Sequence, residues 1–277
     1  MTELIKDLPW SEYIKCGFLG SSALSAWGTV GLEAWSAEYL EGAYADKKAS
    51  KFMSGGSALD QKLTGDTHGT QVAVKPETYI DDKGVEKPWN GNANVCKTWI
   101  AEHSGYEIIT SDQEKEINAA LPLAREALAV LQKVNGGTIN YQVTLRGEVN
   151  GIKVQTRPDM QLNEAFPDLK YVNSQTFSRF DRDFLDSRYF LQAGLAFGFA
   201  RDLGMNPSAS FLLVESGTIH PRCRVVAVPQ YVLQAGWDRA RKICDEITAV
   251  KSSALGFVDV VQFSELELPT WAEARIA

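Results

Sequence analysis

INYQVTLRGEVNGIKVQTRPDMQL (Ile139 to Leu162) is the stretch on which the fold turns. Apolar residues alternate on both sides of Val149-Asn150-Gly151, the pattern of two strands joined by a tight turn at which Asn and Gly accept positive φ. LKYVNSQT (Leu169 to Thr176) reads as a third strand. Working outward, a helix is expected over Arg182 to Leu203, closing at Gly204. Strands follow at Ser210 to Ser216 and Cys223 to Pro229, then a long amphipathic helix from Gln230 to about Val250. Upstream the texture is helical. Helices are expected over Leu19 to Glu41, Ser57 to Leu63, Val95 to His103 and Ser111 to Lys133, with a short strand at Gln71 to Val74. The region from Asp66 to Asn94 is rich in Gly, Asp, Asn and Pro and reads as loop around that strand. Helices, hairpin, strand, helix, strand, strand, helix make an α/β fold, a mixed sheet flanked by helices. We expect a single domain over 1–277, mainly helical up to residue 137, with the sheet core in 138–277.

The composition is that of a globular protein: 277 residues, 44% hydrophobic and 23% charged. Cys16, Cys96, Cys223 and Cys244 are scattered without a CxxC pair, which gives no zinc site or disulfide framework and fits reduced thiols in the cytosol. The start, MTELIKDLPWSEYIKC, lacks the basic and apolar regions of a secretory signal. The longest apolar run, Phe190 to Ala200, falls short of the roughly 20 residues a bilayer requires. A soluble cytoplasmic protein is expected. The net charge of −7 argues against a general polyanion binder, yet leaves room for a local basic groove.

Pro158-Asp159, at the end of the hairpin's second strand, resembles the first element of the PD-(D/E)xK nucleases, followed in that family by an acidic-x-Lys triplet on the adjacent strand. Two such strands converge their side chains on magnesium, for which hard oxygen donors are suited, and lysine helps position the attacking water. The resemblance extends to phage-type recombination exonucleases (the YqaJ, RecE-like and lambda-type enzymes). It includes the Ser-rich LGSSALSAWG with Glu38-Tyr39, GGSALDQKL (Gly55 to Leu63) and Arg157-Pro158-Asp159. It continues in Arg188-Tyr189-Phe190-Leu191-Gln192, Phe211 to Glu215 and the closing Leu268-Pro269-Thr270-Trp271-Ala272. In order, these span about nine tenths of the chain. The resemblance implies a restriction-endonuclease-like sheet and Mg²⁺- or Mn²⁺-dependent hydrolysis of DNA from duplex ends. It also implies a ring-forming homo-oligomer and a single-strand annealing protein as partner.

Fourteen positions after Asp159, Asn173-Ser174-Gln175-Thr176 stands where the family reads acidic-x-Lys-Thr, and alternation keeps 173 and 175 on one face. In this register Asp159, Asn173 and Gln175 are the catalytic positions, with Asp159, Asn173 and Gln142 at the metal positions. Gln142 takes the place of a family glutamate, although Glu148 follows nearby, and Asp60 takes that of a histidine; Ala196 replaces a tyrosine. Neutral amides cannot offset a metal's charge or replace an ammonium group. This register therefore implies weakened or lost turnover, and the alternative function is a non-catalytic DNA-binding or assembly protein. Loss in the natural protein and deliberate substitution read alike in sequence.

A competing register exists. Asp168-Leu169-Lys170 is itself acidic-x-Lys, nine residues after Asp159. Pro167 directly before it places it at the start of a strand, and parity turns it to the face opposite 173 and 175.

Arg188, Tyr189 and Gln192 are the candidate substrate-binding residues, packing over the sheet being the plainer role. Arg179, Arg182 and Arg188 could line a phosphate groove or form a solvated helix start beside Asp181, Asp183 and Asp186. His68, His103 and His220 show no ligand spacing. Trp10, Trp27, Trp35, Trp89 and Trp99 are expected in the core before any base-stacking role.

Overall fold

The computed structural model describes residues 1–40, 51–65 and 71–253; His68 and the closing Leu268 to Ala272 lie outside them. The N-terminal part carries β1 (Glu3–Ile5), α1 (Trp10–Tyr13), α2 (Ser21–Ala26), α3 (Leu32–Tyr39) and α4 (Lys51–Thr64). Next come β2 (Val72–Lys75), β3 (Thr78–Ile80), β4 (Glu86–Pro88), α5 (Asn94–Glu102), β5 (Glu107–Thr110) and α6 (Ser111–Asn135). The hairpin region supplies β6 (Ile139–Tyr141), β7 (Thr144–Val149), β8 (Ile152–Thr156), β9 (Met160–Leu162) and β10 (Ala165–Val172). Then follow α7 (Ser174–Asp186), α8 (Tyr189–Asp202), β11 (Ser208–Glu215), β12 (Cys223–Val228) and α9 (Gln230–Ser252).

The mixed α/β architecture is the expected one. A five-stranded sheet runs in the order β12-β11-β10-β9-β6, with β10 and β11 parallel and the other pairs antiparallel. On one face, α4 and α6 pack Ala58, Leu59, Ile117 and Ala124 against Leu169, Leu212 and Val214. On the other face, α7 and α8 cover Val172, Phe211 and Leu213. A second core, continuous with α8 and α9, takes in Trp27, Trp35 and Phe166. Trp27 and Trp35 are core residues as expected, whereas Trp10, Trp89 and Trp99 are not.

The hairpin turns at Asn150 and Gly151, both with positive φ (50° and 81°). Its arms are interrupted midway, so that β7 and β8 join β1 in a separate small sheet while β6 and β9 belong to the main one. The pairing register is the same on both sides of the interruption, Tyr141 opposite Met160 and Leu145 opposite Thr156. Gln142 therefore stands across from Asp159, and its backbone N–H donates to the Asp159 carbonyl at 2.8 Å.

Three expectations need correction. The helix expected over Leu19 to Glu41 is two helices, α2 and α3. That expected over Arg182 to Leu203 is also two, broken at Arg188, which adopts a left-handed conformation with φ 54°. The strand expected over Leu169 to Thr176 starts earlier and ends at Val172. Asn173 is the N-cap of α7, its side-chain oxygen accepting from Thr176 N at 2.8 Å, the standard use of Asn at a helix start. The chain thus leaves the sheet one residue before the expected motif.

Candidate active site

Strand alternation places Asp168 and Lys170 on one face of β10, covered by α8. β9 meets β10 at Leu162 opposite Ala165. Continued three residues along each strand, that register sets Asp159 across from Asp168. The Leu169 N–H donates to Asp159 Oδ2 at 2.7 Å, which fixes the two strands at this level. Gln142, Asp159 and Asp168 thus form a row across three neighbouring strand segments.

Side chains from four elements close on this row. Gln192, on the first turn of α8, donates from Nε2 to Asp168 Oδ2 and accepts from Lys170 Nζ at 3.2 Å. Lys170 also forms an ion pair with Asp168. Its ammonium lies 5.0 Å from the Tyr189 ring centroid and 5.7 Å from that of Phe211. Gln142 donates from Nε2 to Asp60 Oδ2 on α4 at 2.9 Å, with Asp159 Oδ1 3.5 Å away. Its Oε1 accepts from Arg157 Nε at 3.2 Å. Gly55 and Gly56 bring α4 against β10: a Cβ on Gly55 would lie 3.1 Å from the Tyr171 ring. All these side chains except Tyr189 and Phe211 border one cleft of about 550 Å³, which Glu38 and Tyr39 of α3 also line.

The electrostatics are those of crowded carboxylates. The Asp159 carboxyl is held well above its ordinary range by burial, then by the charges of Asp168 and Asp60; Lys170 and the Leu169 amide oppose this. For Lys170, burial alone would depress the ammonium, but Asp168 and Asp159 outweigh it and the net direction is upward. Lys170 is therefore charged at neutral pH.

The predicted site residues divide accordingly. Asp159, Gln142 and Gln192 meet in the cleft, together with Asp168 and Lys170 of the competing register. Asn173 and Gln175 are exposed on α7 and do not line it. The strand placement that would have turned them inward is corrected by the helix cap. Pro167 was no obstacle: it lies within β10, opposite Ser210 of β11. Arg188 is turned away, its Nη1 donating to the carbonyls of Ser25 and of Trp27, the latter at 3.3 Å. It ties α8 to the end of α2 instead of opening toward a ligand. Tyr189 stacks on Phe180 and sits beneath Lys170. Arg179 and Arg182 are exposed along α7, and Glu148 is exposed on β7. His103 caps its own helix, Nδ1 bonding to Trp99 O at 2.8 Å.

Among the described residues, no group of three His, Cys, Asp or Glu side chains is drawn tightly enough to hold a metal alone. A Mg²⁺ site does not require one. That ion is commonly held by one or two carboxylates, with waters and substrate phosphate completing its octahedron. Two carboxylates in one row, with Asp60 adding negative charge to their surroundings, fit such an ion.

No protein-family model and no curated protein sequence matches the chain. Among solved structures, the chain is similar to a protein of Eubacterium rectale named "Putative exonuclease". The TM-score is 0.58 at 16% identity, over 93% of this chain and 94% of that one. At that identity the likeness shows a shared fold and nothing further.

Proposed function

We propose that the protein is a metal-dependent nuclease of the PD-(D/E)xK class, with Asp159, Asp168 and Lys170 as its catalytic residues and DNA as its substrate. One observation carries this reading. Asp159, directly before β9, borders one cleft with Asp168 of β10 and accepts from the Leu169 N–H at 2.7 Å, and Lys170 shares the face and the cleft of Asp168. This is the acidic pair and lysine that the Asn173 and Gln175 register lacked, so the reading of a weakened site is replaced by that of a complete one.

Asp159 and Asp168 would hold a divalent cation. When bound, such an ion would draw charge from the phosphodiester and ease deprotonation of a water. The chain's own residues do the rest. Gln192 locks the rotamers of Asp168 and Lys170 by accepting from one and donating to the other. Lys170, charged and held against the Tyr189 ring, would donate toward the attacking water or a phosphate oxygen bound in the cleft. A water oxygen adds to phosphorus as one P–O ester bond breaks, leaving a phosphomonoester and a hydroxyl. Gln142 reaches Asp159 from the far side and is itself held by Asp60. The resemblance to phage recombination exonucleases adds duplex ends as the substrate, self-association and an annealing partner.

The test is release of nucleotides from linear and from covalently closed duplex DNA, with Mg²⁺ or Mn²⁺ and with chelator. Digestion of the linear form alone, abolished by chelator and by Lys170→Ala, is the expected result. DNA binding with no cleavage under any metal would favour a non-catalytic role.

A further inference from the structure

Trp10 and Tyr13, at the ends of α1, occupy the rim of the carboxylate cleft. Their rings are stacked, centroids 5.3 Å apart and planes 19° from parallel. Trp10 remains 42% exposed, and neither ring belongs to a buried apolar cluster of the described residues. The pair is nonetheless held firmly. Gln155, itself 3% exposed, donates to the Tyr13 carbonyl at 2.8 Å, and Leu19 bonds to Lys153 on the same strand, β8. The Arg157 guanidinium lies 5.7 Å from the Trp10 ring centroid and 5.5 Å from that of Tyr13. From Arg157 a hydrogen-bonded path runs through Gln142 to Asp159, so the aromatic pair and the carboxylates border one continuous surface.

Burial energy alone does not account for a tryptophan left 42% exposed at a polar cleft, since that share of its surface gains nothing by being there. Stacking does, because an aromatic face beside an arginine accepts any nucleobase. The cleft volume, about 550 Å³, falls in the range of sites that enclose one small molecule.

Resting on the nuclease reading above, we propose that Trp10 and Tyr13 form a stacking platform for an unpaired nucleobase next to the phosphodiester held at Asp159 and Asp168. The strand would then have to be single or frayed where it is cut. Phosphate charge alone would bind duplex and single strand without such a requirement.

The test is binding of labelled single-stranded oligonucleotides to the full chain by fluorescence anisotropy, with Ca²⁺ in place of Mg²⁺. Each oligonucleotide is used intact and with one abasic site moved along it. Trp10→Ala should weaken binding of the intact strand by about 5- to 150-fold, the usual range for one stacked base. Trp10→Phe, which keeps an aromatic face and guards against misfolding, should stay within about 5-fold of the parent. At one position the abasic site should weaken the parent protein by a similar factor, and Trp10→Ala should not feel it. Unchanged affinity in a folded Trp10→Ala protein, or an abasic penalty that persists in it, overturns the platform and leaves the nuclease reading intact. A parent protein that binds no oligonucleotide also overturns the platform, while cleavage of linear duplex decides the nuclease reading separately.

Discussion

Gly194→Ala tests whether the α8–α9 contact sets the position of Gln192. Gly194 lies two residues along α8 from Gln192 and faces α9, where a Cβ would come within 2.4 Å of the Gly236 carbonyl carbon and 2.5 Å of the Trp237 nitrogen. Both are backbone atoms, which cannot rotate away. To restore ordinary contact of 3.4 Å, α8 would have to recede from α9 by about 1 Å. Overpacking of this kind costs about 1–3 kcal/mol. Alanine's better helix propensity returns about 1 kcal/mol, so the net loss is about 0–2 kcal/mol. For a chain of this size that lowers Tm by up to about 8 °C. A 1 Å displacement next to a reacting centre can also cost about 100-fold in rate, so turnover should fall more than stability does. The paired assays are thermal denaturation by circular dichroism and cleavage of linear DNA well below the variant's Tm. Gly198→Ala, where the added atom would meet the Trp237 ring at 2.1 Å, probes the same crossing one turn further on. A Gly194→Ala protein with raised Tm and full activity would refute the tight-crossing argument.

Three further outcomes are expected. Lys170→Met should lower cleavage by about 100- to 10,000-fold, the usual span for loss of a proton-handling group, without weakening divalent-cation binding measured by calorimetry, since a competing positive charge is gone. Asp159→Asn should raise the Tm of the metal-free protein at neutral pH while abolishing cleavage. Burial and neighbouring carboxylates raise the folded-state pKa of Asp159, so its ionisation opposes folding increasingly as pH climbs above the ordinary carboxylate range toward the folded value, and Tm against pH for both proteins reads this. Glu215 behaves oppositely: hydrogen bonds from Arg222 hold its carboxyl down at about 2. The stability it contributes is complete above the ordinary value of 4.5 and is lost as pH falls toward 2. Arg222→Ala should therefore lower Tm at pH 7, and the gap from the parent should close between pH 5 and about 2; a gap independent of pH would contradict the assignment.

How much could be read beforehand follows from where the chain's signals are local. The hairpin was legible because Asn150-Gly151 sits between alternating arms, and α9 because its apolar stripe runs unbroken from Leu233 to Ile247. β10 was not, because a central strand is covered on both faces and Ala165 to Leu169 are buried without alternation, so nothing in its own pattern marks the ends. Its end was encoded instead by Asn173, a helix-capping residue that also fits the end of a strand. That single ambiguity separates the register at Asn173 and Gln175 from the one at Asp168 and Lys170, five residues earlier. The break at Arg188 was hidden because its left-handed backbone carries a non-glycine residue, stabilised by distant carbonyls of Ser25 and Trp27. Of the residues that line the cleft, Asp159 and Gln192 were reached through the resemblance, by its Pro-Asp and Arg-Tyr-x-x-Gln elements. Asp60 lies 82 residues from Gln142, and only the docking of α4 on β10 brings it near. The exposure of Trp10 could not be read from its composition, since Trp27 and Trp35 look alike in sequence and are buried.

The most direct measurement compares Asp168→Ala with the double substitution Asn173→Ala, Gln175→Ala in the same Mg²⁺-dependent DNA cleavage assay. Loss of all cleavage in Asp168→Ala, with the double variant within a few-fold of the parent, is the expected result. Full activity in Asp168→Ala would contradict the account, as would inactivity confined to the double variant.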